Sequence, residues 1–267
     1  MDKKFFSPEP RVIAHRGASG GYPENTKLAF TKAVEIGSDI IETDMHFTKD
    51  NNFVIAHDEV LERISNGTGR IVDHTVAELK RFDVAYNFTT DGGSTYPYRG
   101  RGHTFMTLEE MLEEFPAQRF NIDLKAKNPA QVFYYAEIIR KTDAFDRVLT
   151  ASEYGPNVKE ARKQLPGIAT SISLWEGLWL YFLFKSGLLF VKNKFPYDAL
   201  QIPEYLGTSH VVTETFVNAM HEKGLRVHVW TVNEEKDMRR LFDIGVDAIV
   251  SDEPLLLKKI VAEYFKD

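Results

Sequence analysis

The chain contains no cysteine, which excludes disulfide bonds, thiolate metal ligands and a cysteine nucleophile. It also has no excess of positive charge, because 33 Lys and Arg stand against 39 Asp and Glu, for a formal net charge of -6 at pH 7. This balance gives no electrostatic footprint for nucleic acid, which we therefore exclude as a partner. No Gly-x-Gly-x-x-Gly motif follows the first predicted strand, which argues against a dinucleotide-binding fold.

Long apolar runs are missing as well. No uncharged run approaches the roughly 18 residues that a membrane-spanning helix needs, and the N-terminal stretch MDKKFFSPEPR lacks the continuous apolar region of a signal peptide. We therefore expect a cytoplasmic protein. The composition is that of an ordinary globular protein, 43% hydrophobic and 27% charged over 267 residues, enough for one large domain or two small ones.

The apolar segments predict strands that alternate with helices. Strands are predicted at residues 11–14, 39–46, 53–57, 120–124, 147–150, 168–172, 199–202, 225–232 and 248–251. The turn at 49–52 indicates that 53–57 folds back on 39–46 as a hairpin. Setting that hairpin strand aside leaves about eight strand–helix units, which predicts an α/β fold of the (β/α)8 TIM-barrel type. A doubly wound open sheet is the competing architecture.

Residues 58–106 break this alternation. They are rich in Gly, Thr, Asp and Tyr, and their pattern predicts only a short helix at 76–82. We interpret them as a small insertion after the second strand and its hairpin, because their apolar content is too low for a core of their own. Residues 1–267 are accordingly predicted to form a single barrel domain.

Functional side chains fall at the carboxyl ends of the predicted strands, where barrel active sites lie. They are His15, Arg16, Glu42, Asp44, His57, Asp123, Lys125, Trp230, Asn233, Ser251 and Asp252. Glu42 and Asp44 are two apart in a strand and so project side by side. For these two alone, a solvent-facing polar strand face is the alternative interpretation. The shared position at one rim is what indicates a site.

The residue types restrict the chemistry. Three carboxylates, from Glu42, Asp44 and Asp123, make an all-oxygen site for a hard cation such as Mg²⁺ or Ca²⁺. Arg16 and Lys125 suit an anionic oxygen, with phosphate as the natural candidate.

Two histidines complete this set. His15 and His57 are suited to act as general base and general acid near neutral pH. Together with a metal and cationic side chains they indicate phosphoryl-ester cleavage. In that reaction the metal polarises a phosphate oxygen, one histidine activates the nucleophile and the other protonates the leaving alcohol.

Five blocks of the sequence resemble, in order, the signature blocks of glycerophosphodiester phosphodiesterases: VIAHRGASGGYPENT, IETDMHFTKDNNFVIAHD, NIDLK, HVWTVN and GVDAIVSDEP. The resemblance covers nearly the whole chain. It implies a barrel that hydrolyses a glycerophosphodiester to glycerol 3-phosphate and an alcohol with the help of a metal, in lipid or glycerol metabolism.

By motif, the resemblance also implies particular roles. They are an acid/base pair, His15 and His57; ligands of one Mg²⁺ or Ca²⁺, Glu42, Asp44 and Asp123; and substrate-binding residues, Arg16, Lys125 and Trp230, with Trp230 on the glycerol side. Many members carry Glu where this chain has Asp123, so the ion's position is open. Asn25 and Asp58 are interpreted as capping or supporting groups and Asp252 as structural.

The segment LWEGLWLYFLF from Leu174, with the apolar residues that follow it, predicts a helix that is apolar nearly all round, more than one packing face requires. One interpretation buries it between barrel and insertion. The other places it on the active-site rim, where Leu174 to Phe190 would make peripheral membrane contact or bind an acyl chain. The substrate would then be a lysophospholipid and the reaction lysophospholipase D-like.

Three further functions are weighed. A phospholipase C-like phosphodiesterase would share the barrel and the histidines but work without metal. A non-catalytic phosphate- or lipid-binding barrel is disfavoured because every acid, base and ligand position is filled. A Schiff-base aldolase using Lys125 is disfavoured because acidic neighbours keep that amine protonated and poorly nucleophilic.

Overall fold

The computed structural model describes residues 3–265 as alternating strands and helices. The strands are β1 (Val12–His15), β2 (Ile40–Phe47), β3 (Phe53–Ile55), β4 (Arg119–Leu124), β5 (Val148–Ala151), β6 (Ala169–Thr170), β7 (Ala199–Pro203), β8 (Tyr205–Leu206), β9 (Ser209–His210), β10 (Arg226–Trp230) and β11 (Ala248–Ser251). The α-helices are α1 (Lys27–Ile36), α2 (Val76–Leu79), α3 (Leu108–Glu114), α4 (Val132–Lys141), α5 (Gly155–Gln164), α6 (Leu174–Lys185), α7 (Glu214–His221), α8 (Glu235–Asp243) and α9 (Pro254–Tyr264). Short 3₁₀ turns lie at Lys4–Phe6, Ile71–Asp73, Pro129–Gln131, Phe145–Arg147 and Leu189–Val191.

The main sheet curls into a nearly closed barrel of parallel strands. Its order is β6-β5-β4-β2-β1-β11-β10-β7, and β3 pairs antiparallel with β2. The two ends of this order meet where Ser171 bridges to Ala199 in parallel and the Ile172 amide donates to the Ala199 carbonyl at 3.0 Å. The predicted TIM barrel and hairpin are therefore confirmed, and the open sheet is wrong.

The barrel interior is filled at one end. Phe5 and Phe6, both buried, cluster with Ile13 and Ile40 from the first residues of β1 and β2. Strands buried on both faces read as near-continuous apolar runs, and β1 and β2 have this pattern. With this end packed, a ligand can enter the barrel only at the carboxyl ends of the strands.

Local signals set the helix ends. The Thr26 hydroxyl accepts from the Ala29 amide at 3.2 Å, and Gly37, at φ 80°, ends α1 in the left-handed conformation that glycine tolerates. Thr107 and Glu110 form a capping box at the start of α3. The strand boundaries were predicted less well. The strand predicted at 168–172 is present only as β6 (Ala169–Thr170), and a single bridge from Ser171 connects this part of the sheet to β7.

The insertion between β3 and α3 contains a small apolar cluster. Its buried members are Leu61, Ile64, Ile71, Leu79, Val84 and Phe105, packed with Val54 and Ala56 at the hairpin strand. The cluster is completed by Val54 and Ala56, which lie outside the insertion, so the insertion shares its core with the hairpin strand. The cluster fastens the insertion beside the site.

Among residues 3–265, no helix is long and apolar enough to cross a membrane.

Candidate active site

A cavity of about 420 Å³ opens at the carboxyl ends of the barrel strands. The eight residues with predicted catalytic, metal-binding or substrate-binding roles line it: His15, Arg16, Glu42, Asp44, His57, Asp123, Lys125 and Trp230. Asn233, Ser251 and Asp252, also predicted at the rim, are not among its lining residues. The strand register explains why the lining residues meet. His15 is paired with Glu42 across β1 and β2, and Asp44 with Asp123 across β2 and β4. Residues far apart in sequence thus stand in one row around the rim.

His15 is held by an aspartate from the last strand. Its Nδ1 donates to Asp252 Oδ1 at 2.6 Å, and its Nε2 lies 3.9 Å from Glu42 Oε2. Burial lowers the pKa of His15, but the hydrogen bond to Asp252 and the charge of Glu42 outweigh that effect, so the pKa is raised. Although burial opposes it, hydrogen bonding to His15 lowers the pKa of Asp252 to about 2. Asp252 therefore does more than the structural role assigned to it: it orients His15 and favours its protonated form.

His57 has a matching partner beside it in the chain. Its Nδ1 donates to Asp58 Oδ1 at 2.6 Å. The other Asp58 oxygen accepts from Arg63 Nε, and Arg63 makes two bonds of 2.7 Å to the carboxylate of Glu24. The Arg63 and His57 hydrogen bonds lower the pKa of Asp58 against the effect of burial. Asp58 is thus a supporting group, as predicted, and Arg63 with Glu24 extends the network.

Lys125 stands among the carboxylates. Its Nζ donates to Asp123 Oδ2 and lies 3.2 Å from Asp44 Oδ1. Burial lowers the pKa of Lys125, but the charges of Asp123 and Asp44 outweigh it and raise the pKa above its usual range. The ammonium is therefore protonated and poorly nucleophilic. Arg16 Nε lies 3.5 Å from Asp44 Oδ2, so both cations face the same carboxylate.

The three proposed metal ligands lie close together without forming a ready-made coordination shell. Within residues 3–265, no group of three His, Cys, Asp or Glu side chains is arranged to hold a metal ion as it stands. The ammonium of Lys125 lies between Asp44 and Asp123 instead. Still, the chemistry of the set fits a hard cation, because its donors are all carboxylate oxygens. Burial, and then the charge of Asp44, raise the pKa of Glu42 to about 8. Asp123 Oδ1 is buried without a hydrogen-bond partner among the described residues.

The loop after β1 bends through two left-handed residues. Arg16 and Asn25 have φ of 54° and 55°, and the backbone N–H of Asn25 donates to the backbone carbonyl of Arg16 at 3.0 Å. In the side chain of Asn25, Oδ1 accepts from the Thr43 hydroxyl at 2.7 Å, and Nδ2 lies 3.5 Å from Asp44 Oδ2. Such strained conformations are found where the surrounding structure over-determines them. Asn25 therefore supports Asp44, while Thr26 caps the helix.

Two pocket residues escaped the sequence analysis. Asn121 Oδ1 and Gln201 Nε2 are buried polar atoms without a hydrogen-bond partner within residues 3–265, and both side chains line the cavity. Asn121 is paired with Glu42 in the strand register. Asn121 opens the NIDLK block and lies two residues before Asp123, on the same strand face, but no role was predicted for it. Gln201 had no signal beyond lying within a predicted strand.

The all-round apolar helix lies on the rim. In α6, Trp175 is 75% exposed and Trp179 and Phe182 are about half exposed, whereas Leu180 and Leu183 are buried. The interpretation that buries this helix between barrel and insertion is therefore wrong. Trp230, at the end of β10, is also exposed and lines the pocket.

Paired histidines and cationic side chains at the carboxyl end of a barrel suit the hydrolysis of phosphoric diesters, and comparison with known proteins gives the family. The model of the glycerophosphoryl diester phosphodiesterase family matches residues 15–256. This chain belongs to that family. Membership confirms the predicted family and enzyme class, and it sets aside the aldolase and the non-catalytic barrel. The roles of individual residues stay predictions.

Three similar proteins illustrate the range of relatives. A glycerophosphodiester phosphodiesterase of Bacillus altitudinis is 32% identical over 262 residues, covering 95% of this chain and 98% of the relative. Lysophospholipase D GDPD1 of Homo sapiens is 27% identical over 286 residues, covering 98% and 88%. An Oleispira antarctica phosphodiesterase, solved in complex with the product sn-glycerol-3-phosphate, superimposes with a TM-score of 0.77 at 26% identity, covering 94% and 96%.

Proposed function

We propose that this chain hydrolyses glycerophosphodiesters to glycerol 3-phosphate and an alcohol, using one divalent cation and two histidines. The observation that carries the proposal is the matched pair of histidine–aspartate contacts. His15 and His57 each donate Nδ1 to a carboxylate at 2.6 Å. Each ring therefore keeps Nε2 for a reacting oxygen. The named activity of the bacterial relative and the product bound to the Oleispira enzyme support the same reaction.

The cationic side chains bind the phosphate. Arg16 and Lys125 each face Asp44, and both line the cavity. A phosphate oxygen offers them a second anionic partner, with charge-assisted hydrogen bonds stronger than neutral ones. Trp230 bounds the pocket where the glycerol part would lie.

Glu42, Asp44 and Asp123 would hold the cation, either Mg²⁺ or Ca²⁺. A bound cation would polarise a phosphate oxygen and stabilise the charge that develops on it. Burial raises the pKa of Glu42 and of Asp123, and the charge of Asp44 adds to both shifts; a bound cation would favour the charged carboxylates and oppose these effects. Lys125, on a flexible stem, contacts Asp44 and Asp123 and would be available to phosphate if a cation held these two carboxylates.

The histidines move the protons. One neutral ring takes a proton from the attacking oxygen as the new bond to phosphorus forms. The other, protonated, gives a proton to the alcohol oxygen as its bond to phosphorus breaks. Asp252 and Asp58 stabilise the charged rings, and the net proton count at the two histidines is unchanged.

The test is a panel of glycerophosphodiesters assayed with EDTA, with Mg²⁺ and with Ca²⁺. We expect glycerol 3-phosphate as the product, loss of turnover with EDTA and recovery with a divalent ion. Calorimetric titration of the cation into the wild type and into Asp123→Asn measures the site independently of turnover. Full turnover in EDTA would favour the phospholipase C-like mechanism without metal.

A second candidate is lysophospholipase D-like hydrolysis at a membrane surface by a cytoplasmic protein. The exposed aromatics of α6 favour it, and Phe190 and Val191 continue the exposed apolar surface. Lys185 and Lys194 are exposed beside it and suit anionic lipid headgroups. The human relative that carries the name lysophospholipase D supports this substrate class. Turnover of deacylated diesters with neither lysolipid turnover nor liposome binding would contradict it.

A further inference from the structure

Helix α6 carries three apolar stripes, which explains its all-round hydrophobicity. Its inner stripe consists of Leu174, Gly177, Leu178 and Tyr181, at positions i, i+3, i+4 and i+7, and all four line the cavity. The outer stripe is Trp175, Trp179 and Phe182. Leu180 and Leu183 form the buried third stripe. Side chains with this spacing share one helix face. Packing against the barrel accounts for only one of the stripes.

The inner stripe faces the charged residues across the barrel. In the closed ring β2 stands opposite β7, with β1, β11 and β10 between them on one side and β4, β5 and β6 on the other. Helix α6 follows β6. On the same side, Ile202 of β7 and Leu206 of β8 also line the cavity. The cavity is thus charged at β1, β2 and β4, and mainly apolar at α6 and β7, where Gln201 is a polar side chain of the lining.

The apolar half is closed from behind by aromatic packing. The Tyr181 ring lies 6.1 Å from that of Phe216, edge to face, and Phe216 is almost fully buried. Val211 is also buried and lines the cavity. We call Leu174, Gly177, Leu178, Tyr181, Ile202 and Leu206 the apolar wall.

Gly177 has no backbone reason to be glycine. It lies inside α6 without a positive φ, and a Cβ built on it would meet only Ile172 Cδ1, at 4.0 Å. Glycine inside a helix lowers helix stability relative to alanine. What the missing side chain provides is therefore width in the cavity, in the middle of the inner stripe.

We infer that the apolar wall binds the single acyl chain of a lysophospholipid whose phosphodiester lies between the histidines, and that Gly177 determines whether the chain fits. The inference rests on the proposed phosphodiesterase function. A glycerophosphodiester without an acyl chain is polar throughout, so contact with this wall would strip its polar groups of water without return. An acyl chain gains from the same contact. The wall is continuous with the phosphate site, where Arg16 and Lys125 supply the complementary charge.

The first experiment is a chain-length series. Glycerophosphocholine and monomeric lysophosphatidylcholines from butanoyl to decanoyl are compared below their critical micelle concentrations, without membranes. We expect kcat/KM to rise by about fourfold for each methylene that the wall covers and then to level off. A flat series with intact glycerophosphocholine turnover overturns the inference and leaves the proposed function standing.

The second experiment changes the wall itself. In Gly177→Leu we expect the decanoyl-to-glycerophosphocholine ratio of kcat/KM to collapse toward one. In Gly177→Ala, whose Cβ has space, we expect the ratio to keep most of its wild-type value. Thermal melting of both variants shows whether they fold. An unchanged ratio in a folded Gly177→Leu variant overturns the assignment of Gly177.

A binding measurement that needs no turnover tests the apolar wall separately from the proposed hydrolysis. Non-hydrolysable phosphonate analogues of the same lysolipids are titrated into the wild type by calorimetry. If no diester is turned over, the proposed function fails, yet the analogues still test the wall. Kd that falls with chain length supports the wall, and Kd that does not change with chain length overturns it.

Discussion

The cavity has two opposite sides. We call the side on β1, β2 and β4 the charged wall, and its side chains are held by hydrogen bonds and ion pairs. The apolar wall on α6 and β7 is held mainly by packing. On the charged wall each group has a specific partner, as His15 has Asp252 and Lys125 has Asp123. Helix α6 is held mainly by apolar packing, through its buried leucines and the contact of Tyr181 with Phe216, together with an ion pair of 2.8 Å between Arg162 and Glu176. Chemistry on the charged wall should therefore respond sharply to single atoms. Binding on the apolar wall should respond gradually, with the area buried.

The largest effect should follow loss of a histidine from the charged wall. His57→Ala should lower kcat by about a hundredfold to ten-thousandfold, because one proton transfer loses its catalyst. His221, which pairs with Asp247 on the surface, offers a control with the same substitution. Steady-state kinetics on glycerophosphocholine measures both variants. Unchanged turnover in His57→Ala would remove this residue from the mechanism.

The partner of a histidine should have an intermediate effect. Asp252 raises the pKa of His15, so Asp252→Asn should lower it and move the His15 limb of the kcat/KM profile to lower pH. This direction holds whether His15 serves as acid or base. Loss of a charge-assisted bond should also cost about tenfold to a hundredfold in kcat/KM.

The control for that variant is Asp73→Asn, which changes an exposed aspartate in the insertion. Full pH profiles of both variants are compared with the wild type. A drop in rate with no movement of the limb would mean that Asp252 only stabilises the fold, which would weaken the contrast between the walls.

We expect the smallest effect on the reaction from changes in the outer stripe of α6. These changes test whether α6 is the surface that contacts a membrane. Trp175→Ser should lower the fraction bound to anionic vesicles, because burying a large apolar side chain is worth about 1.5–3 kcal/mol. Phe133→Ser, at a half-exposed aromatic on α4, is the matched control. Vesicle sedimentation measures both. Equal binding by the two variants would show that α6 is not the membrane-facing surface.

Predictability differed between the walls for a physical reason. The charged residues belong to short motifs at strand ends, so His15, Glu42, Asp44 and Asp123 were found from sequence. Asp252 was found too, but its role was underestimated, because its contact with His15 depends on β1 lying beside β11. For α6, composition alone was ambiguous: an all-round apolar helix is compatible with burial or with a lipid-facing rim. Only the tertiary structure showed that Trp175 is 75% exposed, which excludes full burial of the helix.

By itself, the amino-acid sequence determined the alternation of strands and helices, the barrel that follows from it, and which chemical groups stand at the rim. These depend on local periodicity and on residue type, both readable along the chain. Only the tertiary structure decided how those groups pair and which side of the cavity is apolar. The ring of strands brings residues more than two hundred positions apart into hydrogen-bonding distance, as with His15 and Asp252. Such distances are set by closure of the whole barrel, which no local segment encodes.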